Sequence, residues 1–283
     1  MVFLKLLSRI PLNILYVLSN LVYFITFYIA GYRKKTVYTN LRNAFPEKSD
    51  QEIRDIAKAF YKRFSDFAVE VLKGITISAE ALNSRVKFTN VEILEPFRSK
   101  NQSVVVLASH QFNWEWGLLA GCLQLPFPID AVYQRLSNKA FDQLMLDTRS
   151  RFGGNPIEKN SALLEIMRQK DRLKALGIVA DQSPTQDAPK HWTNFLNQPT
   201  AFYLGAQQIS RLAGYPAFFM HIKYISRGKY EVKLINIGLP PYEKGSFNII
   251  ENYARETEKA IARDPAGWLW SHQRWKLERP ADS

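Results

Sequence analysis

One stretch constrains the fold of this chain more than any other: residues 104–117, which read VVVLASHQFNWEWG. The aliphatic run from Val104 to Leu107 is typical of a strand buried on both faces, as strands of parallel sheets are. Small residues and His110 follow this run, and a helix is expected after them. Open α/β sheets bind ligands at the carboxyl ends of their strands, so the stretch predicts an α/β fold with His110 at a site.

His110 is followed five positions later by an acid, Glu115. A histidine can take a proton from a hydroxyl near neutral pH if a carboxylate holds its other ring nitrogen. A spacing of five does not align two side chains on one helical face. The pair can therefore form only if His110 lies in the loop and Glu115 in the first turns of the helix. A structural histidine is the alternative, because this spacing alone is not specific.

Composition narrows the kinds of partner. The formal net charge of +12 fits nucleic acid, an anionic membrane or an acidic protein. The sequence has no zinc-ligand spacing, RNP-type stretch or clear helix-turn-helix, so we expect no nucleic acid and no metal. It also has no G-x-S-x-G elbow or phosphate-binding glycine loop. The single cysteine, Cys122, cannot form an intrachain disulfide, which fits a reducing compartment.

The N-terminal segment predicts a membrane helix. Residues 11–32 are uncharged and about long enough to span a bilayer, and aromatic residues cluster near their far end. Three cations at positions 33–35 favour a cytoplasmic location for the domain on their C-terminal side. We therefore predict an anchor over residues 1–35 and a catalytic domain over residues 36–283. A helix that lies in the membrane interface is the alternative.

Apolar periodicity and turn residues predict the remaining elements. Asp181 and Gln182 follow one of the predicted strands, as His110 follows another. Strands are expected at residues 86–88, 129–133 and 175–180, with a hairpin of residues 217–225 and 229–237. Helices are expected at residues 49–74, 91–97, 138–151, 161–170, 200–213 and 248–263.

The segment from His110 to Glu115 resembles the HX4(D/E) motif of the late acyltransferases of lipid A assembly, the lauroyl/myristoyl acyltransferase family. Residues 37–47 resemble the "NL…AFP" connector of that family, and residues 265–276 resemble its terminal signature. The resemblance thus covers nearly the whole chain. It implies a mixed, mostly parallel sheet flanked by helices, like that of glycerolipid acyltransferases, with an N-terminal membrane helix.

The resemblance also implies an activity: transfer of an acyl chain from a carrier thioester to a hydroxyl of a lipid acceptor. His110 would be the general base, Glu115 would orient it, and Arg151 or backbone amides would stabilise the oxyanion. No cofactor is expected beyond the thioester of acyl carrier protein or coenzyme A, which is the donor substrate. The expected partners are an acyl carrier protein, which is acidic as a class, and an anionic membrane. The expected location is the inner membrane, with the catalytic domain on the cytoplasmic side.

Further residues of the matching segments are candidates for substrate binding. Arg149 and Arg151 end a predicted helix, where pairing with the helix dipole is the alternative role. Asp181 and Gln182 match an Asp-Gln pair of the family that would bind the acceptor or fix loops, although a turn and a cap are the alternative. The candidate substrate-binding residues are Asn113, Trp114, Arg149, Asp181 and Gln182.

Three functions remain open. The acceptor most consistent with the resemblance is a lipid A precursor, and a bacterial aminolipid is the first alternative. The Pro-Glu-Gly block of glycerolipid acyltransferases does not occur, which argues against a glycerol-3-phosphate acceptor. The second alternative, of another class, is a non-catalytic module that binds lipid or acyl carrier protein.

Overall fold

The computed structural model describes residues 2–280, so the first residue and the last three residues of the predicted domains lie outside it. The described chain is an α/β protein with a mixed, mostly parallel sheet between helices. The strands are β1 (Val86–Phe88), β2 (Val104–Ala108), β3 (Ile129–Tyr133), β4 (Asn155–Glu158), β5 (Ala175–Val179), β6 (Lys190–Phe195), β7 (Gln198–Tyr203), β8 (Ala217–Ser226) and β9 (Lys229–Gly238).

Helices account for most of the remaining chain. They are α1 (Val2–Arg9), α2 (Leu12–Phe24), α3 (Lys34–Ala44), α4 (Asp50–Gly74), α5 (Ala79–Asn83), α6 (Glu95–Arg98), α7 (Trp114–Gln124), α8 (Lys139–Ser150), α9 (Ala162–Arg168), α10 (Gly205–Ala213) and α11 (Asn248–Arg263). A π-helical segment, Ile25–Ile29, extends α2, and 3-10 turns occupy Val91–Leu94 and Pro265–Gly267.

Seven strands form the main sheet in the order β1-β9-β8-β2-β5-β3-β4. β8 and β9 pair antiparallel, and the other neighbours in this sheet pair parallel. All five residues of β2 are buried, as the aliphatic run predicts for a central strand. In the register of β2 with β5, Ala108 lies opposite Val179. His110 and Asp181 therefore each follow their strand by two residues, at the same edge of the sheet.

The predicted fold class is confirmed, and most predicted elements occur close to their expected positions. The exception is the helix expected over residues 200–213, because α10 begins only at Gly205. The residues before it pair with β6 in a two-stranded antiparallel ribbon. Leu196 and Asn197 at its turn have positive φ angles of 49° and 63°, the backbone conformation of a tight hairpin. Pairing within this hairpin thus overrides the local helical pattern.

The N-terminal helix packs against the domain along one face. Among the described residues, Leu12–Ile29 is the helical stretch long and apolar enough to cross a membrane, by length and composition. Leu15, Tyr16 and Ser19 of α2 are buried, and α2 contacts α4. The opposite face exposes large apolar side chains, including those of Val17 and Leu21. A docked helix with an apolar outer face fits both insertion into the bilayer and an interfacial position.

Candidate active site

A cavity of about 410 Å³ opens beside the carboxyl ends of β2, β3 and β5. Its polar end contains His110, Trp114, Glu115, Arg149 and Gln182. Its walls are mostly apolar, which suits an aliphatic ligand. The apolar side chains of the wall include Phe88, Val106, Leu118, Leu125, Ile129, Val179, Ile209 and Met220.

His110 is held by Asp181 from two directions. The His110 Nδ1 atom lies 2.5 Å from Asp181 Oδ1, and the backbone N–H of His110 donates to Asp181 Oδ2 at 2.8 Å. The indole N–H of Trp268 donates to the same Oδ2 at 2.6 Å. Asp181 is only 1% exposed, so these bonds fix the carboxylate, and the carboxylate in turn fixes the ring.

The electrostatics of this pair define which nitrogen of His110 can act. Burial alone would raise the pKa of Asp181, but the His110 ring and the hydrogen bonds from His110 and Trp268 outweigh burial and lower it. An ionised Asp181 can only accept a hydrogen bond, so Nδ1 of His110 carries the proton. In that tautomer Nε2 is an acceptor. The Gln182 amide N–H donates to this Nε2 at 3.1 Å, on the cavity side.

Glu115 makes a different contact from the one predicted. Its carboxylate accepts two hydrogen bonds from Arg149, at 2.6 and 3.0 Å, and one from the indole of Trp114 at 3.2 Å. Glu115 lies in the first turn of α7 and Arg149 in the last turn of α8, and these helices pack together. We therefore correct the predicted contact: Asp181, rather than Glu115, orients the His110 ring.

Trp114 contacts both His110 and Glu115. Its indole ring meets the His110 ring edge-on, with ring centres 4.8 Å apart, while its N–H donates to Glu115. Burial opposes the charge of Arg149, but the adjacent Glu115 outweighs burial and raises the pKa of Arg149. The polar end of the cavity thus holds one histidine–aspartate pair and one arginine–glutamate pair, with the Trp114 ring in contact with a member of each.

Two other predicted site residues lie outside the cavity wall formed by the described residues. The Arg151 guanidinium donates to the backbone oxygens of Gly74 and Ile77, at 2.5 and 2.8 Å, so it caps the end of α4. The Asn113 side chain is 1% exposed and accepts from the backbone N–H of Trp116, which caps α7. Arg149 is therefore the arginine at the site, and Asn113 supports the site from behind.

Trp268 is the site residue that sequence reasoning missed. It lies in the C-terminal segment that carries the terminal signature, and its backbone bridges to Gln111, next to His110. The backbone N–H of Phe112 donates to the oxygen of Gly267 at 2.8 Å. The indole N–H of a tryptophan in this segment indicated a possible hydrogen-bond donor. The sequence could not show its acceptor, because Asp181 is distant along the chain.

No group of three or more His, Cys, Asp and Glu side chains in the described part of the chain is placed to bind a metal ion. The chemistry that the site offers is that of a base, Nε2 of His110, at the polar end of an apolar cavity. Such an arrangement suits an enzyme that activates a hydroxyl beside an aliphatic chain.

A comparison with known protein families identifies the class of enzyme. The sequence profile of bacterial lipid A biosynthesis acyltransferases matches residues 1–277. The chain belongs to this family and is an acyltransferase. No curated protein sequence gives a significant match.

Proposed function

We propose that the protein transfers a fatty acyl chain from a carrier thioester to a hydroxyl of a lipid, with a lipid A precursor as the acceptor. The observation that carries the proposal is the orientation of His110. Its Nδ1 is bound to a buried carboxylate and its Nε2 is available at the polar end of an apolar cavity. The membership in a lipid A acyltransferase family supports the choice of acceptor.

In the proposed reaction, the acceptor hydroxyl takes the place of the Gln182 amide at Nε2 of His110. The hydroxyl proton passes to Nε2 as the oxygen attacks the thioester carbonyl carbon, which forms the new C–O bond. Asp181 stabilises the imidazolium that results. When the tetrahedral intermediate collapses, the C–S bond breaks and the proton returns from Nε2 to the leaving sulfur. General-base assistance of this kind is typically worth about 10²–10⁴-fold in rate.

Arg149 is our candidate for stabilising negative charge in this reaction. It lines the cavity, whereas Arg151 is bound to backbone oxygens. Two hydrogen bonds to Glu115 fix the plane of its guanidinium. A fixed cation near a developing oxyanion lowers the barrier without reorganisation during the reaction. Glu115 would then act through Arg149, while Trp114 and Gln182 contact the substrates.

The surface of the protein supports a proposal for the donor and the location. We propose that the protein works at the cytoplasmic side of the inner membrane, through the exposed apolar face of α2. Leu136 and Leu163 line the cavity and are each 40% exposed, so exposed apolar side chains adjoin it. The net charge of +12 favours an acidic acyl carrier protein as donor and an anionic bilayer as support.

A binding module without catalysis gains support if Glu115 lies out of reach of the His110 ring or if no apolar groove leads there, and Glu115 indeed binds Arg149 instead. However, Asp181 supplies the carboxylate partner of His110 in place of Glu115, and the apolar cavity leads to it. Catalysis is therefore the better interpretation of the site.

Mass spectrometry of lipid extracts tests the proposal. A deletion strain should lack one acyl chain on its lipid A, and the wild-type gene should restore this chain while a gene encoding His110→Ala should not. Loss of an aminolipid species with normal lipid A would assign the alternative acceptor. Unchanged lipids in the deletion strain, or full restoration by the His110→Ala gene, would contradict the proposed function.

A further inference from the structure

A second buried carboxylate lies behind the site, and the reaction above does not use it. Glu70 of α4 is fully buried and accepts hydrogen bonds from three side chains that belong to different elements. Tyr16 of α2 donates to its Oε1 at 2.7 Å. Tyr230 of β9 and Asn113, just before α7, donate to its Oε2 at 2.7 and 2.9 Å. Burial raises the pKa of Glu70 to about 6, and the three donors oppose this rise.

The contacts of Glu70 converge on the start of α7. Its side chain holds Asn113, whose own side chain accepts from the backbone N–H of Trp116. Its backbone oxygen accepts from the indole N–H of Trp116 at 2.8 Å. Trp114 and Glu115, which line the cavity, lie between these two attachment points. Glu70 therefore fixes the turn of helix that presents two site residues to the cavity.

The N-terminal helix takes part in this cluster through Tyr16. A second polar attachment of α2 centres on Asp66, which accepts from Ser19 and from Arg227 of the β8–β9 turn. Arg227 also donates to the backbone oxygen of Tyr16 at 3.0 Å, but not to the Tyr16 hydroxyl. Both attachments bind α2 to α4, but only the bond from Tyr16 reaches a carboxylate that also holds Asn113. The two hydroxyl groups have different carboxylate partners, so removing each in turn distinguishes docking of the helix from support of the site.

We propose that Glu70 is a positioning residue for acyl transfer, and that Tyr16 makes the N-terminal helix part of the catalytic unit by completing the partners of Glu70. The proposal rests on the proposed function. Loss of one donor lets the carboxylate, Asn113 and the first turn of α7 shift, and small shifts in a reacting geometry are costly in rate. A hydrogen bond to a charged group is worth enough for about a tenfold change in rate.

The test compares Tyr16→Phe with Ser19→Ala in the full-length protein in lipid vesicles. Each removes one hydroxyl from the same face of α2. We expect Tyr16→Phe to lower kcat about tenfold with little change in the KM for the acyl donor. Ser19→Ala should keep kcat within about twofold, as a change outside the cluster would. Hydrogen exchange of residues 113–117 should accelerate only in Tyr16→Phe, and both variants should bind vesicles as the wild type does.

Glu70 itself gives a second comparison. In Glu70→Gln the amide oxygen can accept from Asn113 and Tyr230, and the amide nitrogen can donate to Tyr16, so most of kcat should remain. Glu70→Ala leaves buried donors unpaired and should lose far more activity or fail to fold. Whether or not Glu70→Ala folds, Tyr16→Phe tests the proposal, because it removes a single oxygen atom.

A wild-type kcat in Tyr16→Phe would overturn the proposal, and so would equal losses of kcat in Tyr16→Phe and Ser19→Ala that follow a loss of vesicle binding. These results differ from a failure of the proposed function. That failure would appear as normal turnover in His110→Ala, whereas inactive His110→Ala beside fully active Tyr16→Phe would remove only the role of Glu70 and Tyr16.

Discussion

Two histidine–carboxylate pairs of similar geometry lie in different surroundings. His110 and Asp181 meet at 2.5 Å beside the cavity, and His191 and Glu251 meet at 2.6 Å between β6 and α11. The histidine side chains are similarly exposed, at 15% and 20%. The carboxylates differ: that of Asp181 is 1% exposed, and that of Glu251 is 39% exposed.

The surroundings decide what each pair can do. Glu251 also accepts from Thr193, and the ring of Phe247 stacks on His191 at 4.2 Å, so this pair attaches the ribbon to α11. Neither residue belongs to the cavity wall that the described chain forms. A histidine–carboxylate contact is therefore not enough to mark a catalytic base. The buried carboxylate and the adjoining cavity distinguish the first pair.

The largest effect should come from exchanging each carboxylate for its amide. Asp181→Asn changes the preferred tautomer of His110, and the corresponding change in a serine protease triad costs about 10⁴-fold in kcat. We expect a loss of about this size in steady-state acyl transfer. The matched change Glu251→Gln should leave kcat within about twofold, as substitutions far from the chemistry do. Comparable losses in the two variants would show that the pairs are not distinct in function.

Changes in the Arg149–Glu115 pair should lower kcat less than the change at Asp181. Arg149→Lys keeps the charge but loses the two-pronged bond to Glu115, so the cation is no longer fixed. We expect kcat to fall about 10²-fold, the range seen when one donor to an oxyanion is lost. Arg151→Lys is the control and should affect mainly thermal stability. Greater loss of kcat in Arg151→Lys would restore Arg151 as the site arginine.

The cavity itself can be tested through product chain length. A methyl group added at Gly121, which lines the cavity, would lie 3.6 Å from both Phe88 and Leu125. Gly121→Ala should therefore fit without a clash and shift the preferred donor to a shorter acyl chain. Gly205, another wall residue, is exposed to solvent, and an added methyl there meets no atom within 4 Å, so Gly205→Ala should leave the preference unchanged. The measurement is a competition between thioesters of different chain length, with the products identified by mass spectrometry. An equal shift in chain-length preference in both variants would contradict the prediction.

A smaller effect, on stability alone, concerns His272 beside the first pair. Burial lowers the pKa of His272 to about 4, and its Nε2 accepts from the backbone N–H of Ser183 at 3.1 Å. The unfolded chain gains this proton near pH 6.5. The contribution of neutral His272 to the free energy of unfolding is therefore fully present above pH 6.5, and it declines as the pH falls toward 4. His272→Gln should show a smaller drop in Tm between pH 7 and pH 4.5 than the wild type. An identical drop would mean that His272 does not contribute.

Much of the scaffold around His110 could be predicted from local sequence. The apolar run of β2, the asparagine that caps α7 and the polar residues after β5 each have a local signal. The order of the strands has none, yet that order brings His110 and Asp181 together across 71 positions. Their equal offset from paired residues of β2 and β5 was the usable signal, but it required knowing that these strands are neighbours.

For Glu115, the sequence predicted a local contact that the structure does not contain. Its spacing from His110 favoured a local pair, but the carboxylate turns to Arg149, which α8 brings to the same cavity. Long-range packing thus supplied the partner for each of the two residues. The ribbon of β6 and β7 was missed for a different reason: the two strands form a hairpin of adjacent segments, and their pairing outweighs the helical pattern.

We propose that the histidine at the cavity, and not its counterpart on the ribbon, is the base for acyl transfer. The most direct measurement compares the turnover of purified His110→Ala and His191→Ala in one assay with an acyl-carrier thioester and the lipid acceptor. We predict a loss of about 10²–10⁴-fold in the former and nearly normal turnover in the latter, with both proteins folded by circular dichroism. Normal turnover in folded His110→Ala would contradict the account.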